Sequence, residues 1–237
     1  MSARTTVYVV CSPLDRVGKT LVARLLAEFL IGDDRNVEAF DLNSGTPSLV
    51  DYLPGCTYSA DIGDTRGQMA LFDQLVGNDA SAKIVDLGHA AFEQFFTIAA
   101  QVGLAEEARR HHAQLVVLFI ASPDQISAKA FAALGRWLPG IILVPVYNEA
   151  LIRAPQRELY PTGGAALPLR VPVLVPSLAR IAAEPGFSFA DVRAGRTALG
   201  AAQFHFELES WLRRAFLEFR ELELRLLLAT LGLSRPN

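Results

Sequence analysis

The sequence predicts an α/β fold: a mostly parallel sheet with helices on both faces, followed by a C-terminal helical tail. Three observations predict it. Short apolar runs alternate with segments of helical periodicity through the N-terminal two-thirds of the chain. The runs are apolar at successive positions, which suits strands buried on both faces, as in parallel sheets. With 237 residues and 51% hydrophobic side chains, the chain can bury a core of ordinary size without disulfides or metals.

The elements follow in order. Val7 to Cys11 reads as a buried strand. Thr20 to Ile31 carries Leu21, Val22, Leu25, Leu26, Phe29 and Leu30 at helical spacing, and Gly32 stops it. Val37 to Leu42 is a second strand, Gly67 to Val76 a helix, and Lys83 to Leu87 a third strand. Ala90 to Arg110 reads as mostly helical, Leu115 to Ala121 as a strand, and Gln125 to Trp137 as a helix. Ile141 to Tyr147 and Val171 to Val175 are the last strands expected. Gly163-Gly164, Pro168 and Pro172 make the stretch 153–172 irregular, and Pro185 to Arg196 reads as a loop. Ala198 to Leu231 is expected to form one or two helices. Residues 1–195 read as one domain and 196–237 as a helical extension, packed on that domain or on a partner.

Composition excludes several classes. The net charge of −3 and a pI near 5.8 give no basic field for nucleic acid. Mean hydropathy is high at +0.27, yet no run of about 18 apolar residues offers a membrane span. Met1 to Thr6 is too short and polar to open a signal peptide, so no leader is expected. Cys11 and Cys56 are the only cysteines, which leaves no disulfide framework or CxxC knuckle and points to a reducing cytoplasm. Nothing resembles a Ser/His/Asp triad.

The strongest local signal is Ser12-Pro13-Leu14-Asp15-Arg16-Val17-Gly18-Lys19-Thr20, between a strand and an amphipathic helix. That is the setting a phosphate-binding loop requires. A helix N-terminus has unpaired N–H groups and partial positive charge. Gly18 lets backbone approach a phosphate, Lys19 would reach the β- and γ-phosphates, and the Thr20 hydroxyl would hold Mg²⁺. Arg16, Val17 and Leu21 complete the expected nucleotide-contacting stretch. Lysine is scarce, with only Lys19, Lys83 and Lys129, so the placement of Lys19 stands out. The loop departs from GxxxxGK[ST] at its first position, where Pro13 stands for glycine and removes one amide donor.

Here the chain resembles the ParA/MinD family of deviant Walker A ATPases, whose loop reads KGGVGKT. This chain has Leu14-Asp15-Arg16-Val17-Gly18-Lys19-Thr20. The family's second strand closes with Asp-x-Asp, and here the sequence is Asp41-Leu42-Asn43. Its third motif is a strand ending in aspartate, here Asp86, and Asn148 falls where the family often places an adenine-contacting asparagine. Order and spacing match over about residues 5–180, although the stretch from Asp41 to Asp86 is short for the family, as if one or more helices were missing.

The resemblance implies a P-loop NTPase architecture binding ATP and Mg²⁺. Thr20, Asp41 and Asp86 would organise the metal and its waters, and the protein would act as a homodimer. Two departures bear on catalysis. The family's signature lysine, which reaches the partner subunit's nucleotide, falls on Leu14. The second acid, which positions water in the relatives, is Asn43, and an amide is a very poor proton acceptor. Both losses point to binding without efficient hydrolysis. An ATP-dependent kinase or ligase of dethiobiotin-synthetase type is the alternative, since that loop also lacks the signature lysine. A nucleotide-free interaction module is the third reading, favoured by Pro13 and Asn43.

Asp41, Asp86 and Asn148 each have a bland alternative as caps or turn residues. His89 could border the same crevice, but a lone histidine is more often structural. In the tail, Leu212, Phe216, Phe219, Leu222 and Leu226 form one stripe, which Leu217, Leu224, Leu228 and Leu231 are expected to broaden. The bland role is packing on the sheet, and a dimer or partner helix is the alternative. Interleaved glutamates argue against contact with an anionic membrane surface.

Overall fold

The structure is a computed structural model that describes residues 5–43, 45, 47–152, 158–163, 166–196 and 202–231. Seven strands form one sheet, β1 (Thr6–Cys11), β2 (Val37–Leu42), β3 (Thr57–Ser59), β4 (Ala82–Leu87), β5 (Gln114–Ile120), β6 (Ile142–Asn148) and β7 (Leu169–Val171). Their order is β3-β2-β4-β1-β5-β6-β7, and every pairing is parallel. The α/β fold with a parallel sheet between helical layers is therefore present, and it is consistent with a P-loop NTPase layout.

Alternation along the central strand divides the core. Tyr8 and Val10 of β1 face one cluster, while Val7, Val9 and Cys11 face the other. The first face is covered by α1 (Lys19–Gly32), α2 (Leu49–Tyr52), α7 (Pro176–Ala182), α8 (Phe189–Arg193) and α9 (Ala202–Thr230). The second is covered by α3 (Thr65–Val76), α4 (Phe92–Gln101), α5 (Leu104–Arg110) and α6 (Gln125–Trp137). The crossover from β1 runs to β2 on one side, and that from β5 runs to β6 on the other. Such a divergence opens a crevice at the carboxyl ends of the strands.

Several expected boundaries are corrected. The helix expected over Ala90 to Arg110 is a 3₁₀ turn (His89–Ala91) followed by α4 and α5. Gly103 breaks it at φ 64°, a left-handed conformation that glycine adopts without a Cβ clash. The last strand ends at Val171 rather than starting there, because Pro172 has no N–H to continue the ladder. The short gap between Asp41 and Asp86 holds α2 and β3 besides α3. The region Pro185 to Arg196, read as a loop, contains α8, capped by the Ser188 side chain.

The expected start of the tail helix at Ala198 lies outside the described residues, as do Ser44 and Gly164. Within them the tail is one helix, α9. Leu208, Trp211, Leu212, Ala215, Phe219, Leu222 and Leu226 are buried in the cluster that holds α1. The remaining leucines do not broaden this stripe. Leu217, Leu224 and Leu228 of α9 are exposed, as is Leu231 just past its end. The buried side also seals the sheet edge. Glu218 accepts from the Arg170 N–H at 3.0 Å, Arg225 donates to the Leu167 carbonyl at 2.9 Å, and the Trp211 indole donates to the Pro172 carbonyl at 2.7 Å. The Arg170 N–H of the edge strand β7 and the carbonyls that flank the strand are thereby occupied. Among the described residues no helix is long and apolar enough to cross a membrane.

Candidate functional site

The loop Ser12 to Gly18 leaves the central strand at its carboxyl end and turns directly into α1. Gly18 makes that turn at φ 97°, where an L side chain is strained. A Cβ on Gly18 would also lie 2.8 Å from Asn148 Nδ2. The asparagine therefore packs against the loop and donates from Nδ2 to the Val17 carbonyl at 3.1 Å. Its own Oδ1 accepts the Ala150 N–H at 3.1 Å, so β6 and the loop are tied by one side chain. Val17 is buried, and Leu21 packs on the first core cluster from inside α1. The Val17 side chain is thus turned into the core, while Leu21 stays partly exposed.

Lys19 is buried, and its ammonium donates to the Leu14 carbonyl at 2.5 Å. Burial lowers its pKa, opposed chiefly by the charges of Asp86 and Asp15. The Thr20 hydroxyl donates to Asp86 Oδ2 at 2.6 Å and accepts from Asn43 Nδ2 at 3.4 Å. Lys19, Thr20, Asn43 and Asp86 are therefore brought together, although they come from three separated stretches of chain. Parallel register explains it: Asp41 pairs with Asp86, and Val10 pairs with Asp86 from the other side. The loops after β2 and β4 also touch, since a Cβ on Gly88 would lie 2.7 Å from the Leu42 carbonyl oxygen.

Asp86 is fully buried, and its Oδ1 has no hydrogen-bond partner among the described residues. Burial pushes its carboxyl up to about 7, with the Thr20 hydrogen bond and Lys19 opposing and Asp41 adding to the rise. An orphaned buried carboxylate oxygen beside a threonine hydroxyl at a helix N-terminus suits a hydrated Mg²⁺, which takes few protein ligands. Among the described residues no group of three or more His, Cys, Asp or Glu could hold a metal by itself. Asp41 is differently placed. Its Oδ1 accepts the Asn43 N–H and its Oδ2 the Val50 N–H, both at 3.0 Å. That carboxylate shapes the loop after β2, which is the capping role weighed against a metal role.

Arg16 is not gathered into the site. Its side chain is 92% exposed and its φ is 55°, a left-handed position uncommon for a residue with a Cβ. Cys11 beneath the loop is buried and its thiol pKa is raised by burial, so it behaves as a small apolar residue. Asp15 is a residue that the sequence reading passed over. It lies 3.6 Å from His89 Nδ1, linking the loop after β1 to the turn after β4. The available signal was the pair Asp15-Arg16 standing where KGGVGKT has two glycines. No protein-family model matches the chain, and no curated protein matches it.

Proposed function

We propose that this chain is a ParA/MinD-like P-loop protein that binds ATP with Mg²⁺ and works as a nucleotide-dependent switch or positioning adaptor with weak or absent hydrolysis. The observation that carries the reading is the Thr20–Asp86 hydrogen bond at 2.6 Å, set over buried Lys19 at the first turn of α1. Thr20 and the free oxygen of Asp86 would hold the metal and its waters. The open N–H groups of the first turn of α1 and the Lys19 ammonium would hold phosphate. Bound Mg²⁺ would supply positive charge against the phosphates. Asn148 would border the base, and Asn43, which already hydrogen-bonds Thr20, would orient water without accepting its proton. Leu14 offers no charge to a partner's nucleotide, so a homodimer, if formed, would lack that cross-subunit cation. The reading takes a reducing cytoplasm as its setting, which suits the free thiols of Cys11 and Cys56.

Thermal unfolding with millimolar ATP, ADP and GTP, each with and without Mg²⁺, tests it. A ligand that binds only the folded chain stabilises it by about 2.7 kcal/mol at a hundredfold excess over Kd. Lys19→Ala is expected to remove most of that gain. No stabilisation of the unaltered chain by any nucleotide would sink the reading and favour an interaction module.

A further inference from the structure

We propose that Asp15 is a built-in anion of the phosphate loop, which competes with the third phosphate of a nucleoside triphosphate and makes the site favour the diphosphate. The proposal rests on the nucleotide-binding reading above and adds a specificity determinant to it.

The donors of the loop are unevenly distributed. Pro13 has no N–H. The Leu14 N–H is turned to Ser12 Oγ at 3.3 Å, and the Arg16 N–H to Asp15 Oδ1 at 2.8 Å. Two N–H groups of the first half of the loop are therefore turned to its own side chains. The second half runs into α1, whose first-turn N–H groups have no partner within the helix. One or two phosphates find donors there. A longer chain of phosphates extends toward the group that reaches β- and γ-phosphates in such loops, the lysine ammonium. In this chain Lys19 is held at the Leu14 carbonyl, within electrostatic reach of both Asp86 and Asp15.

Asp15 is exposed, with two basic side chains beside it. His89 faces it from the turn after β4, with Nδ1 at 3.6 Å, and the Arg16 guanidinium lies 3.6 Å from its other oxygen. The Arg16 pair is solvent-exposed and contributes little against the charge of Asp15. On this reading an incoming third phosphate approaches Lys19 beside a carboxylate that already accepts the Arg16 N–H. The Asp15 side chain is solvent-exposed, and at a near-aqueous dielectric like charges about 4 Å apart weaken binding roughly tenfold.

Calorimetric titration of Mg-ATP and Mg-ADP into the unaltered chain, Asp15→Asn and Asp15→Glu separates charge from loop shape. Asparagine keeps an oxygen for the Arg16 N–H and removes only the charge, and glutamate restores the charge. The unaltered chain is expected to bind ADP more tightly than ATP. Asp15→Asn should tighten ATP about tenfold and ADP less than threefold, with the gain shrinking at high salt. Asp15→Glu should retain the original preference. If Asp15→Asn leaves the ATP-to-ADP ratio unchanged while both nucleotides bind, Asp15 does not discriminate and the nucleotide reading stands. If neither nucleotide binds to the unaltered chain or to Asp15→Asn, both proposals fall.

Discussion

Asp86 holds a charge-bearing group where burial opposes its charge. An exposed aspartate ionises near pH 3.8, and this one is pushed up to about 7 by loss of water. Between those values the unfolded chain has released the proton and the folded chain still holds it. Folding stability is therefore expected to be greatest below the lower value, to fall as pH rises through the window, and to level off above the upper one. The span corresponds to at most about 4 kcal/mol. Urea midpoints measured across this range in Mg²⁺-free buffer should show the decline, and Asp86→Asn should flatten it. An unchanged slope in that variant would show that another group titrates. The aspartate ending a strand was visible in sequence. Its orphaned oxygen was not, because burial and hydrogen-bond pairing depend on chain brought in from elsewhere.

At the scale of the element, α1 shows what a helical pattern conceals. Its apolar spacing was plain, yet Arg24 and Glu28 on the same helix are also buried, joined at 3.1 Å. Burial lowers the Arg24 pKa and raises that of Glu28, so each charge depends on its partners. The guanidinium donates to the carbonyls of Ala182 and Phe187 and lies 4.1 Å from the centre of the Phe189 ring and 4.5 Å from that of Tyr52. Glu28 accepts the Ala190 N–H at 2.7 Å. One helix thus ties down the segment that carries α7 and α8. Arg24→Ala strands a buried carboxylate and is expected to cost about 3–5 kcal/mol. Arg24→Met combined with Glu28→Leu should cost less than the single change. Equilibrium urea unfolding compares them, and a single-variant loss below about 1 kcal/mol would mean that water reaches Glu28.

For the whole molecule, α9 decides whether the first core cluster closes. It contributes seven buried residues, Trp211 among them, to the face that also covers β1 and α1. It also reaches Tyr8 in the central strand, where the Tyr8 hydroxyl donates to Glu223, itself 2.5 Å from Arg35. A chain ending at residue 201 should expose that apolar face, bind hydrophobic dyes and aggregate during size-exclusion chromatography. A monodisperse, cooperatively unfolding truncation would show α9 to be an accessory. The sheet lies between two helical layers of unequal origin. Helices α3 to α6 come from the middle of the chain, whereas the opposite layer joins α1 and α2 to elements near the C-terminus.

The sequence by itself determined the parallel sheet, the helix after Gly18 and the Gly18-Lys19-Thr20 turn. These rest on local facts: apolar runs of strand length, a helical period, and a glycine at a turn that no other residue makes without strain. It also pointed to Asp41 and Asp86 as carboxylates beside Thr20, through a likeness in motif order, and the structure hydrogen-bonds Asp86 and Asn43 to that hydroxyl. Tertiary structure alone decided the rest. Asp41 spends both oxygens on backbone N–H groups because the loop after β2 folds back over it. The leucines of α9 divide between a buried side and an exposed one because only one side meets the sheet. Asp15 gained its place opposite His89 because parallel pairing sets the ends of β1 and β4 side by side. Contacts between residues distant in sequence follow from strand order and register, and neither is written in the period of any single segment.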